Sequence, residues 1–116
     1  MKFKLVIAVT DDRRTKDLLK VAREAGATGA TIIAGVRGEG RNRSFGILGL
    51  EISEARDMLL FVVEEHRARA VLEKLAEVGE FDETSGTGVA FQIDVEDALG
   101  VRHQMAEIAA DVEERI

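Results

Sequence analysis

Met58-Leu59-Leu60-Phe61-Val62-Val63 is apolar throughout, and charge returns at once with Glu64 and Glu65. The run is far shorter than the roughly 20 residues of a membrane span, and its pattern is that of a central strand covered on both faces. C-terminal to it, Ala68, Val71, Leu72, Leu75 and Val78 recur at helical spacing, so 65–78 reads as a helix closed by Gly79. Glu80–Gly88 (EFDETSGTG) is a polar, glycine-containing loop. Val89, Phe91, Ile93 and Val95 then alternate with Ala90, Gln92 and Asp94, which predicts a strand over 89–95. N-terminal to it, Arg37–Ser53 reads as a long loop with short strand pieces around Phe45–Leu50, and Thr31–Val36 as a β-branched strand. Before that, Leu18, Ala22 and Ala25 mark a helix that Asp11 or Asp12 would cap and Gly26 would end. Lys2–Thr10 opens the chain as a strand, with Phe3, Leu5, Ile7 and Val9 on one face and Val6 and Ala8 on the other.

The order strand, helix, strand, strand, helix, strand is an α+β arrangement, the ferredoxin-like split βαβ (βαββαβ). Both crossovers place a helix on the same face of the sheet. The other face is left bare, yet its strands are apolar on both sides, which predicts burial against other subunits. Glu96–Val101 reads as an irregular helical turn. Gln104–Ile116 reads as a terminal helix with Met105, Ile108, Ala109, Val112 and Ile116 as its stripe.

The chain has 116 residues, room for one domain, and 46% of them are hydrophobic. There is no Cys, Pro, Trp or Tyr, so disulfides, thiolate zinc sites and cysteine nucleophiles are excluded. The net charge of −6 argues against nucleic-acid binding, which Lys and Arg dominate. No apolar run is long enough for direct membrane insertion, and Asp11, Asp12, Arg13 and Arg14 follow the N-terminal apolar stretch too soon for a signal peptide. The expectation is a cytoplasmic protein with no resident metal or required cofactor.

The chemistry-bearing residues lie in two loops. Gly35–Arg43 (GVRGEGRNR) combines glycines, whose backbone N–H groups can approach an anion, with Arg37, Arg41 and Arg43. Ser85-Gly86-Thr87-Gly88 offers N–H groups and two hydroxyls. Gly35-x4-Gly40 is not a Walker A loop, because Arg41-Asn42 stands where Lys-Ser/Thr is needed. On composition alone, two solvated turns fit these loops equally well. His66 lies among Glu64, Glu65 and Arg67 and reads as a surface residue, as does His103. No nucleophile–base pair, paired carboxylate or metal-ligand spacing stands out.

Three segments carry a resemblance: Gly26-Ala27-Thr28-Gly29-Ala30-Thr31-Ile32-Ile33, Arg37-Gly38-Glu39-Gly40-Arg41, and Gly86-Thr87-Gly88-Val89-Ala90-Phe91-Gln92-Ile93-Asp94-Val95. In this order, on a split βαβ pattern, the chain resembles the PII signal-transduction (GlnB-like) proteins, as a divergent PII-like member, from Lys2 to about His103. The resemblance implies a PII-like domain over 1–103, with 104–116 as a C-terminal extension. It implies a homotrimer with adenine-nucleotide sites (AMP, ADP or ATP) in the clefts between subunits. It also implies a regulatory rather than catalytic role. The T-loop (37–53) would engage a protein target, often a membrane transporter.

Residue by residue, the resemblance puts Gly38, Gly40, Arg41 and Asn42 at the phosphates and Thr31 and Val62 at the adenine. Gly86, Thr87 and Gly88 become a phosphate-facing B-loop, and Arg102 the second of two C-loop arginines (98–103). The chain departs from the pattern where Val89 replaces a B-loop lysine and Gly100 the first C-loop arginine. Each lost charge-assisted hydrogen bond weakens binding by about 1.5–3 kcal/mol, which favours AMP or ADP over ATP. Asn42 replaces a glutamine, and no lysine stands near Glu54–Asp57, which argues against 2-oxoglutarate sensing. The strand before the T-loop holds one extra residue around Gly35. Two other readings of the same fold stay open. One is a small phosphoanhydride hydrolase with Arg41 and Arg102 as electrostatic stabilisers. The other is a CutA-like or ACT-like small-molecule domain.

Overall fold

The computed structural model describes residues 2–37, 55–84 and 86–100. Strand β1 (Phe3–Asp11) leads through a short 3-10 turn (Asp12–Arg14) into helix α1 (Thr15–Ala25) and strand β2 (Thr31–Val36). Strand β3 (Arg56–Glu64), helix α2 (Glu65–Gly79) and strand β4 (Gly88–Val95) follow. The sheet order is β2-β3-β1-β4, and each neighbouring pair is antiparallel. The strands joined by a helix therefore run in the same direction with one strand between them, which is the expected ferredoxin-like split βαβ. The expected strand pieces at Phe45–Leu50 and helix 104–116 lie outside the described residues.

The register decides which side chains share a face. Val6, Ala8, Leu59, Phe61 and Val63 point towards the helices and are buried with Leu18, Ala22, Ala68, Val71 and Leu75. Phe3, Leu5, Ile7 and Val9 lie across from Val95, Ile93, Phe91 and Val89 on the opposite face, joined there by Met58, Leu60 and Val62. The most regular apolar alternation in the sequence thus lines the open face and not the core. On that face Phe91 is 38% and Ile93 47% exposed.

β3 is longer at both ends than its apolar run predicts. Arg56 and Glu64 are both buried, so charge did not mark the ends of the strand. The end of α2 also differs from expectation. Gly79 is the last helical residue, and the left-handed seat falls to Glu80 at φ 56°. The reason is packing: a Cβ on Gly79 would sit 2.3 Å from the ring of Phe81. Gly26, at φ 125°, ends α1 as expected. Residues 96–100 form no helical turn; the Asp97 carboxylate accepts from the Ala98 N–H at 3.0 Å, a local bond that competes with helix.

The extra residue near Gly35 is a β-bulge. Ala34 pairs with Asp57 and Val36 with Arg56, so Gly35 is left over, at φ 73°. A one-residue slip exchanges the faces of whatever follows it. Val36 therefore shares a face with Arg56, at the point where the chain leaves for 38–54.

Candidate functional site

The end of the sheet at which β2 stops and β3 begins gathers buried polar groups. Asp11, the last residue of β1, caps the 3-10 turn by accepting the Arg13 N–H at 2.9 Å. The Arg13 guanidinium grips the same carboxylate, with Nε 3.0 Å from each oxygen and Nη2 closer still. Arg56 lies beside it, Nη1 3.8 Å from Asp11 Oδ2, and its Nη2 donates to the Gly86 carbonyl at 3.0 Å. On the helix side, the Thr15 hydroxyl donates to Asp57 Oδ2 at 2.7 Å. The Asp12 N–H donates to the Ala55 carbonyl at 3.3 Å, tying down the start of β3.

The hydrogen bonds from Arg13, helped by the charge of Arg56, hold the Asp11 carboxyl well below the usual carboxylate range. A depressed folded-state pKa adds stability that is fully present above the ordinary carboxylate value of about 4 and is lost as pH falls below it. Asp11→Asn is therefore expected to lower the urea midpoint at pH 7 and to lower it by less near pH 2.5, part-way through that loss. Midpoints measured at both values check this; an equal deficit at both would exclude the ionised carboxylate as the cause.

The 80–88 loop is held along its length. Arg14 donates to the Val78 carbonyl at 3.1 Å and to Glu80 Oε2 at 2.8 Å. Within the loop the Thr84 N–H donates to the Glu80 carbonyl at 3.0 Å, and Arg56 fixes Gly86 at the far end. The Thr87 hydroxyl lies 2.9 Å from both the Glu80 and the Thr84 carbonyls, so its single proton is shared inside the loop. What the loop can offer an anion is backbone N–H groups rather than this hydroxyl. Gly88 has no room for a side chain: a Cβ would be 2.4 Å from the Val9 carbonyl oxygen.

The remaining candidates lie elsewhere. Thr31 is exposed on edge strand β2, opposite Leu60, and Val62 is one diagonal step along β3 on the same face. Gly86–Gly88 lead into β4, the other edge, three strand spacings or about 14 Å across the sheet. One chain therefore brings Thr31 and Val62 together, and Gly86, Thr87 and Gly88 together, but not the two groups with each other. Gly38, Gly40, Arg41, Asn42 and Arg102 lie outside the described residues. Just before Arg102, Leu99 is 97% exposed and Gly100 has φ 89°. His66 is on the surface, its Nε2 3.6 Å from Glu64 Oε2. Among the described residues no helix is long and apolar enough to cross a membrane.

Sequence reasoning missed Asp11 and Arg56 as a connecting pair. Asp11 was legible only as a cap. Arg56 stands beside an apolar run and reads as the solvated charge that ends a strand.

The chain combines a four-stranded sheet in the order β2-β3-β1-β4, a bulged strand leading out at residue 37 and a glycine loop before β4. The family model of nitrogen regulatory protein P-II matches residues 3–105. The chain belongs to the P-II family. Among solved structures, this P-II family member is similar to a PII-like signaling protein from Thermus thermophilus, at 29% identity and a TM-score of 0.61. That match covers 82% of this chain and 88% of the other. CPII from Thiomonas intermedia, bound to ADP, AMP and acetate, is 18% identical with a TM-score of 0.65, covering 86% of this chain and 92% of its own. A second CPII structure, bound to ADP, AMP and bicarbonate, is 19% identical with a TM-score of 0.60, covering 84% and 97%. At those identities the CPII likeness shows the fold. Comparison with the curated proteins matches none of them.

Proposed function

We propose that this P-II family member is a cytoplasmic regulatory protein, not an enzyme, that binds an adenine nucleotide between the subunits of a homotrimer. Occupancy of the site sets how residues 37–53 engage a protein target, for which a membrane transporter is the best candidate. Residues 1–103 form the binding domain and 104–116 an extension to it.

One observation carries the reading. The candidate residues fall into two groups towards opposite edges of a sheet whose free face is apolar. Thr31 and Val62 can serve the same ligand as Gly86–Gly88 only across a boundary between copies of the chain. An assembly that buries Phe91, Ile93 and their neighbours creates such a boundary. Leu99, almost wholly exposed within the proposed C-loop, is a further apolar group for it to cover. The ADP and AMP held by CPII support the ligand class.

The ligand preference follows from charge. Val89 and Gly100 stand where the family resemblance expects cations, which removes two charge-assisted contacts worth about 1.5–3 kcal/mol each. Binding is therefore expected in the order AMP or ADP above ATP, with Gly38, Gly40, Arg41, Asn42 and Arg102 completing the phosphate side. Calorimetry with ATP, ADP, AMP and cyclic AMP tests this. Absence of binding by all four at millimolar concentration removes the central claim, and unchanged binding by Arg41→Ala removes that residue's assignment.

A further inference from the structure

We infer that Arg56 is the positioning residue of the phosphate-facing loop, an inference that rests on the nucleotide-binding reading above. Its side chain is 4% exposed, and it spans from the end of β1 to the loop before β4. One arm of the guanidinium lies against the Asp11 carboxylate and the other donates to the Gly86 carbonyl. With that carbonyl drawn inward, Gly86 is held at φ 77°, a conformation that only glycine adopts readily. The orientation of a peptide plane is set when its oxygen is fixed, so the following N–H, that of Thr87, is fixed with it. A loop whose recognition groups are backbone N–H donors gains affinity from being pre-set, because no ordering is left to be done on binding.

The other supports of the loop bond atoms other than the Gly86 carbonyl. Arg14 holds Glu80, Phe81 packs against Gly79 and Gly88, and the Thr87 hydroxyl closes on Glu80 and Thr84. Among the described residues, Arg56 is the side chain that bonds the Gly86 carbonyl. Asp11 in turn is gripped by Arg13, so the anchor is itself fixed. The fork geometry matters: one guanidinium can face a carboxylate and a carbonyl at once, whereas a lysine ammonium placed here is drawn to the carboxylate.

The test separates positioning from stability. Arg56→Lys keeps the buried charge beside Asp11 and gives up the Gly86 bond. It is expected to melt within a few degrees of wild type while its ADP dissociation constant, read by calorimetry, rises about tenfold. Arg56→Met with Asp11→Asn removes both charges together, so the Asp11 carboxylate is not left with Arg13 as its one remaining arginine, and is expected to show at least the same loss of affinity. Val71→Ala, which trims the core far from the loop, is expected to melt lower yet bind ADP as wild type does. The inference is overturned if Arg56→Lys binds ADP like wild type. It is overturned equally if loss of affinity tracks melting temperature across all three variants, which assigns Arg56 a structural role alone. Failure of the wild type to bind any adenine nucleotide overturns the functional reading itself, a different result from either.

Discussion

Gly88→Ala is expected to destabilise the protein by about 3–5 kcal/mol, the sum of overpacking and of backbone strain at a positive φ. The added methyl group would meet a backbone oxygen, that of Val9, at 2.4 Å and the Phe81 ring at 2.5 Å. A flexible side chain could swing aside, but the Val9 carbonyl is locked in β1, which pairs with β4 from Phe3–Val95 to Thr10–Gly88. Relief therefore requires β4 to part from β1 at the point where the 80–88 loop joins the sheet. Urea denaturation should show the midpoint falling with the slope unchanged. Gly29→Ala is the control: it meets nothing within 4 Å and should stay within about 0.5 kcal/mol of wild type. If the two substitutions behave alike, the close approach of β1 to Gly88 is wrong. Because Gly88 is also a candidate phosphate contact, its presence has a purely steric explanation that holds whether or not a ligand binds.

Ile93→Asp is expected to convert the proposed trimer into a monomer. In a single chain Ile93 is 47% exposed on the open face, so a carboxylate there stays solvated and the core formed with the helices is untouched. In an assembly that covers this face, the same carboxylate is buried against apolar neighbours, at a cost of several kcal/mol per subunit. Sedimentation should fall from three chains of 12.7 kDa to one, with the helical circular-dichroism signal retained. Nucleotide binding should fall with it if the proposed site is right, because the Thr31–Val62 group and the loop before β4 would no longer face each other across a boundary. A wild type that sediments as one chain would remove the inter-subunit site. A variant that stays trimeric would move the interface off this face.

The two predictions concern residues of opposite legibility. Ile93 belongs to an alternation visible at once in VAFQIDV, while its pairing with Leu5 is set by the register of β1 on β4. Which face that alternation served was not visible. Strand periodicity says that two faces differ, and not which of them the helices cover. The helices cover the face of Val6, Ala8, Ala90, Leu59 and Phe61. Phe91 and Ile93 are left outside. The requirement for glycine at position 88 was invisible as well, because it comes from Val9 and Phe81, residues 79 and 7 positions away in the chain.

The candidate site divides in the same way. Its glycines and arginines were legible because anion binding needs backbone access and positive charge, and both are properties of residue type. The bulge at Gly35 was legible only as one surplus residue against the family resemblance, and its place in the register came from the structure. The Asp11–Arg56–Gly86 link was not, because it joins positions 30 and 45 residues apart through one side chain reaching across a strand.

By itself, then, the sequence determined the order of elements, the split βαβ topology, the apolar strands and the places where glycine frees the backbone. These are set by local periodicity and by the conformations that each residue type allows. The tertiary structure alone decided which sheet face became the core, why Gly88 admits no side chain, and which buried arginine holds the glycine loop. Those depend on distances between residues far apart in the chain, and such distances exist only once the sheet has formed.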